Sequence, residues 1–520
     1  MLPKAQDKKH LLFLINPRQK FVNYYAQTEL SKMMGVKKFM IPLAIPMVAA
    51  LVPEEFDIRI IDEDTDPLTD DVLPDIVGIS TLASTAGRSF EIGDHYRKLG
   101  IPVIIGGPHV SFNQEEALKH CTTVVVGEAE DLWQQSLNDF STGTLKNLYK
   151  REGFCDFKQS PVPRWDLVPR DYYFQVGVQI SRGCPYECEF CLVTELFGHE
   201  MRYREIDNVV EELKKLPVRK IFFVDDNLTV KKSYVRELMR RIKPLNLSWA
   251  CMASIEIAND TELLKEMKAA GCFNILIGFE SLNAESLDET HKKHNRAASI
   301  FEEAIEKIHK EGIHITASFM IGFDSDTVPE FEKIYQFTQK TGLSYLNFNI
   351  LGAIPGSALH ARLKEEGRLY NIEPELISGL FPTMHYYEMG QVELFNHYID
   401  TLRRMYSYES LYEKAKVLFG KGKFNELFHD GKPTAGFKAK ITFYLLGQWW
   451  FTRDRYKRKL FSYLFRLIIK KEVAIDNAAA YLLSMMGYHN HIEKLHAHAE
   501  TYRDIIRQYD KGAWKDMQKN

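Results

Sequence analysis

Two consecutive α/β domains and a helical tail are predicted for this chain, on three observations. Short Val- and Ile-rich runs alternate with helical segments through the first two thirds. A proline-rich polar stretch interrupts that alternation once. The last third keeps a helical period without the strands. A length of 520 residues leaves room for about three domains. Hydrophobic residues make up 45%, enough to fill a core in each. The net charge of −3 is too balanced for a general nucleic-acid binder, and no nucleic-acid partner is expected. Seven cysteines in so long a chain point to reduced thiols, with metal or catalysis where they cluster, rather than to a disulfide framework.

The first domain, residues 1–140, rests on five strand candidates: "LLFLI" (Leu11–Ile15), "FDIRIID" (Phe56–Asp62), "DIVGIS" (Asp75–Ser80), "PVIIGG" (Pro102–Gly107) and "TTVVVGE" (Thr122–Glu128). Continuous apolar strands separated by helices such as Arg88–Leu99 predict a doubly wound, Rossmann-like parallel sheet. In such a sheet ligands sit at the carboxyl ends of the strands. Those ends carry Ser80 and Thr81 in "GIST", Gly106, Gly107, Pro108 and His109 in "GGPHVS", and Gly127 and Glu128 in "VGEAE". Each turn alone reads as an ordinary tight βα turn; three on one edge favour a broad, flat cofactor, because glycine lets backbone approach it closely.

Residues 141–175, with Pro161, Pro163 and Pro169, read as a linker. The second domain, 176–370, offers strands at Val176–Ser181, Lys220–Val224, Leu247–Ala253, Phe273–Gly278, His314–Gly322 and Tyr345–Leu351. Between them Val235, Leu238, Met239 and Ile242 share one helical face, as do Phe301, Ala304, Ile305 and Ile308. Six βα units without a seventh and eighth predict an open, partial (βα)6 barrel, with its chemistry at the carboxyl ends of the strands. Residues 371–520 form the mainly helical C-terminal domain.

Directly after the first barrel strand, "SRGCPYECEFCLV" (Ser181–Val193) spaces Cys184, Cys188 and Cys191 as C-x3-C-x2-C. A zinc site normally closes with four protein ligands, or three and a water. Three thiolates in a loop instead suit a cubane iron–sulfur cluster whose fourth iron stays open. A structural zinc completed by one of the scattered Cys121, Cys155, Cys251 or Cys272 is the alternative that spacing leaves open.

This triplet, with Phe190 before its last cysteine and a (βα)6 series after it, resembles the radical S-adenosylmethionine superfamily. The resemblance implies a 4Fe-4S cluster held by Cys184, Cys188 and Cys191, whose open iron is chelated by S-adenosylmethionine. Reductive cleavage there gives a 5′-deoxyadenosyl radical and needs an external electron donor of flavodoxin or ferredoxin type. By position, Asp225, Asp226 and Asn227 in "VDDN" match where the amino group of S-adenosylmethionine is held, and Glu280 and Ser281 in "GFES" match the ribose contact. For Asp225 and Asp226 the plainer reading is capping of the next helix. "IGFDSD" (Ile321–Asp326) and "GAIPGS" (Gly352–Ser357) match tips around the adenosine. The N-terminal domain resembles the cobalamin-binding domain of one large subclass, without the D-x-H-x-x-G run that supplies an axial histidine; "NPRQK" (Asn16–Lys20) stands there instead. Cobalamin bound here is therefore expected to lack histidine ligation, with His109 an edge contact. "LFGHEMRYRE", "HKKHNR" (His291–Arg296), "ALHARLKEEGRL" (Ala358–Leu369) and "AAAYLLSMMGYHNH" (Ala478–His491) resemble the subgroup containing hopanoid C-2 methylases.

Residues 437–472 carry ten Lys or Arg against Asp454 and Glu472, a local net of +8. Tyr456, Leu460, Leu464, Leu467 and Ile468 form one apolar helical stripe, preceded by "ITFYLLGQWWF" (Ile441–Phe451). Two expectations fit: a basic helix lying peripherally on an anionic membrane, or a helix packed on the barrel with a solvated basic face. No secretory signal is legible, and the longest apolar stretch, Phe39–Val52, is interrupted by Pro42 and Pro46 and too short to span a bilayer. The expected location is the cytoplasm, with the membrane's inner face as the peripheral alternative. The resemblance implies a C-methyltransferase that acts on an unactivated carbon of a small-molecule or lipid substrate. The alternative is an oxidative cyclase or C–C bond-forming enzyme that uses the same cofactors without methyl transfer.

Overall fold

In the computed structural model, which describes residues 9–21, 31, 32, 34–289, 298–421 and 435–517, the two βα series form two separate parallel sheets. The motif His291–Arg296 lies outside the described residues. Strands are numbered along the chain. The first sheet contains β1 (His10–Asn16), β3 (Phe56–Asp62), β4 (Ile76–Ser80), β5 (Val103–Gly106), β6 (Thr123–Val126) and β7 (Leu148–Lys150), in the order β3-β1-β4-β5-β6-β7. Alternate residues of each strand serve opposite faces. Phe13, Ile15, Val77 and Val103 pack on one side, Leu12, Leu14, Ile76 and Ile104 on the other. That double burial is why the strands read as unbroken apolar runs. The order reverses between β1 and β4, and a crevice opens at such a switch point.

The second sheet contains β8 (Tyr173–Val178), β11 (Lys220–Phe223), β12 (Ser248–Ala253), β13 (Cys272–Glu280), β14 (His314–Ile321) and β15 (Tyr345–Ile350), in sequential order. A seventh strand, β2 (Lys38–Ile41), pairs in parallel with β8 and covers its outer edge. The chain thus leaves the first sheet after β1, borders the barrel, and returns as β3. Four residues are too short a run to show alternation, so the sequence reading of Phe39–Val52 missed this strand. Side chains facing the covering helices are wholly buried, among them Ile277, Phe279, Ala317, Phe319 and Phe348. The two helical faces expected to be apolar are buried as well, from Val235 to Ile242 and from Phe301 to Ile308.

The expected linker 141–175 is folded, not merely a tether. β7 extends the first sheet beside β6. Trp165 is buried on the barrel, its indole N–H donating to Glu212 at 3.1 Å. Beyond residue 357 the chain is helical, chiefly Gln391–Met405, Tyr408–Lys421, Ala435–Phe451, Arg455–Ile469, Ile475–Ala497 and Ala499–Met517. No described helix is long and apolar enough to cross a membrane.

The apolar stripe at 456–468 faces inward. Leu460 and Leu464 are fully buried and Leu467 nearly so, against helix Tyr408–Lys421, where Tyr463 meets Tyr412 edge-on at 6.1 Å. The expectation that this stripe meets a membrane is therefore corrected: core packing, not lipid, covers it. Leu464→Glu should destabilise the fold by about 3–5 kcal/mol, because it places an unpaired carboxylate in a filled apolar site. Ile469→Glu, at a side chain 79% exposed, should change stability by less than about 0.5 kcal/mol. Denaturant unfolding of the two variants checks both values.

Candidate functional site

The thiol loop hangs from a narrow neck. Just beyond β8, β9 (Ser181–Arg182) pairs antiparallel with β10 (Arg202–Tyr203), and the segment between them carries the three cysteines. Gly183 leaves the neck with φ of +96°, and a Cβ there would collide with the Glu200 carbonyl, so only glycine fits. Inside the loop the Cys184 N–H donates to the Gly198 carbonyl at 3.2 Å and the Cys191 N–H to the Cys188 carbonyl at 2.9 Å. Cys184, Cys188 and Cys191 are half-buried, the other four cysteines fully buried, and none is in a disulfide. Burial, and then the neighbouring Cys188, Asp226 and Cys184, push the Cys191 thiol up to about 12. Such a thiol ionises only beside a positive centre, which is the chemistry a metal cluster supplies. Among the described residues no three His, Cys, Asp or Glu side chains surround one shared metal ion.

A salt-bridge chain that the sequence reading missed braces this loop from outside. Glu189, between the second and third cysteines, binds Arg362 through Nε at 2.6 Å and Nη2 at 3.1 Å, and its carbonyl accepts from the Leu359 N–H. Arg362 and Arg368 share Asp324 of the "IGFDSD" tip. Helix Ala358–Glu365 therefore fixes the loop to the barrel rim.

Asp225 follows β11 and is buried completely. Its Oδ1 accepts from the Ile180 N–H at 3.0 Å, the Ser181 hydroxyl at 2.6 Å and the Ser181 N–H. Its Oδ2 and the Oδ2 of Asp226 are buried with no hydrogen-bond partner. Desolvation raises the Asp225 carboxyl to about 7 and that of Asp226 to about 6. Neither caps the next helix, which starts at Lys232 after Lys231. The Asn227 side-chain oxygen accepts from the Thr229 and Ser254 N–H groups, so this residue also braces the turn. Glu280 holds φ of +64° at a bulge in β13, a strained conformation for a residue with a side chain. The Ser281 hydroxyl accepts from the Asn283 N–H at 3.0 Å.

Between the carboxyl edges of the two sheets lies a cavity of about 360 Å³. Ser80, Gly106, Gly107, Pro108, Gly127 and Glu128 line it as the turns predict, facing Gln179, Arg182 and Val224 of the barrel rim. At Gly107 a Cβ would strike the Thr81 backbone, whereas one at Gly106 would make only ordinary contacts and point no clash into the sheet. Thr81 and His109 do not line the cavity. The Thr81 hydroxyl is buried without a partner. His109 is buried against Phe90, with ring centres 6.2 Å apart, and burial lowers its pKa. No histidine stands among the lining residues. Leu43, Met47 and Val48, from the turn and helix after β2, and Trp133 supply apolar walls that the sequence reading missed; the unexplained run Phe39–Val52 was the available signal.

Glu128 also belongs to a second structure. Both its oxygens are taken by Arg182 and Arg202, at 2.8–3.0 Å, and by the Cys155 N–H at 2.7 Å, while Arg182 reaches on to Glu130 at 2.7 Å. Burial works against the Glu128 charge, but the two guanidiniums more than offset it and hold its carboxyl below the ordinary range. Besides lining the cavity, Glu128 thus locks the sheet tip to the neck of the thiol loop.

Three family profiles match the chain: "Radical SAM superfamily" over residues 178–338, "B12 binding domain" over 34–135, and "Domain of unknown function (DUF4070)" over 357–501. An uncharacterised methyltransferase of Pyrococcus horikoshii is 31% identical over 61% of this chain and 77% of its own length. The bacteriochlorophyllide d C-12(1)-methyltransferase of Chlorobaculum tepidum is 28% identical over 75% and 88%. The hopanoid C-2 methylase of Rhodopseudomonas palustris is 29% identical over 64% and 66%. The solved structure of the cobalamin-dependent S-adenosylmethionine radical enzyme OxsB superposes with a TM-score of 0.60 at 14% identity, over 97% of this chain and 81% of that one, which shows a shared fold. The thiol loop, the glycine-edged cavity and these matches agree: the chain belongs to the radical S-adenosylmethionine enzymes that carry a cobalamin-binding domain, a family with methyltransferase relatives, and its cofactors are a 4Fe-4S cluster, S-adenosylmethionine and cobalamin.

Proposed function

We propose that this enzyme transfers a methyl group to an unactivated carbon of a hydrophobic small molecule. The observation that carries the reading is a shared wall: Gln179, Arg182 and Val224 line the inter-sheet cavity and flank, in sequence, the thiol loop and Asp225. When bound, the cluster with S-adenosylmethionine supplies hydrogen-abstracting one-electron chemistry, and cobalamin supplies a transferable methyl group. Cys184, Cys188 and Cys191 hold the cluster and leave one iron without a protein ligand. The unpartnered Oδ2 atoms of Asp225 and Asp226 accept from the amino group of S-adenosylmethionine, and Glu280 and Ser281 border its ribose. Ser80, Gly106, Gly107, Pro108 and Gly127 cradle the corrin edge, while Leu43, Met47 and Trp133 exclude water from it.

We also propose that the enzyme works at an anionic membrane surface, through a face other than the one the helical stripe suggested. On helix Ala435–Phe451, Phe443, Leu446, Trp450 and Phe451 fall on one side of the helix; Trp450 is 70% and Phe451 82% exposed. Arg453 and Arg455 follow that helix directly and stand exposed, and they match anionic headgroups.

Replacing Cys184, Cys188 and Cys191 with Ala should abolish 5′-deoxyadenosine formation; retained cleavage of S-adenosylmethionine would contradict the assignment. A product heavier by CH2 supports methyl transfer, and one lacking hydrogens would favour the oxidative alternative. Gly106→Leu should lower cobalamin content without loss of fold, and electron paramagnetic resonance of reduced cobalt should show no histidine coupling. In sedimentation with phosphatidylglycerol vesicles the wild type should pellet, and less so as salt rises. The Trp450→Ser/Phe451→Ser variant should stay in the supernatant with its melting temperature unchanged.

A further inference from the structure

The barrel holds a second cavity, of about 290 Å³, at the end opposite the thiol loop. Its walls come mainly from the first and middle residues of the strands, with Phe222 of β11, Leu276 of β13, Thr316 of β14 and Asn347 of β15 turned inward. Its floor is one face of helix Ile475–Ala497, formed by Ala480, Ser484 and Tyr488 at successive turns. The sequence had marked that segment only as a subgroup motif.

A closed eight-stranded barrel is filled by its own side chains. This one is not. Two residues beyond Leu276, Thr316 and Asn347, on the same inward face, stand Gly278, Ser318 and Asn349. All three stay half-buried, although Ile277, Ala317 and Phe348 between them are fully buried. Those three positions leave accessible surface on the inward face of the strands between the chamber and the rim. From Phe222 to Asp226 is four residues of β11 and its tip, roughly 13 Å at the usual rise per residue.

We propose that this chamber receives the end of an elongated, mainly apolar substrate remote from its reacting carbon, and that Ala480, Ser484 and Tyr488 set how long a substrate fits. The inference rests on the rim being the reaction site, as argued above. A compact molecule cannot occupy both places; one about 13 Å or longer can. The lining also says what that end carries. It is aromatic and aliphatic, with hydrogen-bonding groups gathered in it: the Thr316 hydroxyl donates to Asn274 at 3.0 Å, and Lys220 lies 4.3 Å over the Phe174 ring. One oxygen substituent on an otherwise hydrocarbon end matches that mixture.

All-trans-retinol, a fluorescent polyene with one terminal hydroxyl, serves as the probe. The wild type should bind it with enhanced fluorescence. Ala480→Trp, which fills the chamber, should weaken binding at least tenfold, and Ser484→Met should weaken it too, which guards against a misfolded first variant. Trp450→Ser/Phe451→Ser should bind as the wild type does, which excludes the exposed helix face as the site. Wild type that ignores retinol, or folded chamber variants that bind it unchanged, would overturn the proposal. Chamber-dependent retinol binding by protein that, loaded with cluster and given S-adenosylmethionine and a reductant, forms no 5′-deoxyadenosine would instead overturn the rim as the reaction site, leaving an apolar binding chamber without its assigned part in substrate length.

Discussion

The buried cluster of Glu128, Arg182 and Arg202 is the contact on which the rest of the site depends. Glu128 lies at the tip of the first sheet, Arg182 and Arg202 on the two strands of the thiol-loop neck, and the Cys155 backbone joins them from the connecting segment. Charges this deeply buried are costly unless they are paired; both Glu128 oxygens and the Nη groups of Arg182 and Arg202 are, while Nε of Arg202 is buried without a partner. The arrangement fixes how far the glycine-rich edge stands from the cysteines, and so fixes the cavity between them. β2 and the helix after it give the same junction a covalent bridge and an apolar wall.

Around that junction, some buried polar atoms are left unpaired by the protein itself. Oδ1 of Asp225 is satisfied three times over, while its Oδ2 and that of Asp226 have nothing. Buried polar atoms rarely go unpaired, and strained backbone such as that at Glu280 persists where a site requires it. The brace from Glu189 through Arg362 to Asp324 and Arg368 holds the loop rigid without using the cysteines themselves. Ion pairs that tie the thiol loop to the rim suit an enzyme that must hold two large cofactors in place.

What the sequence showed of this was decided by range. The thiol triplet is local, so its spacing was legible. The strands of both sheets were legible because burial on two faces makes them uniformly apolar. β2 was not, since four residues carry no period and its partner β8 lies more than a hundred residues away. The lock at Glu128 was not legible because its arginines are 54 and 74 residues distant, and the bond from Glu189 to Arg362 spans 173. The stripe at Leu460, Leu464 and Leu467 was identified correctly as a stripe; periodicity gives a face and not what covers it, and helix Tyr408–Lys421 does. The domain boundary at 141–175 blurred for a related reason, because prolines marked irregular backbone but not the short edge strand β7 within it.

The central claim is that one chain holds a cluster and a corrinoid side by side. Anaerobic purification followed by iron, sulfide and cobalamin analysis tests it most directly. The account predicts about four irons and four sulfides per chain, as for a cubane cluster, together with one cobalamin. Zinc without iron, or a full cluster in protein that takes up no cobalamin, would contradict it.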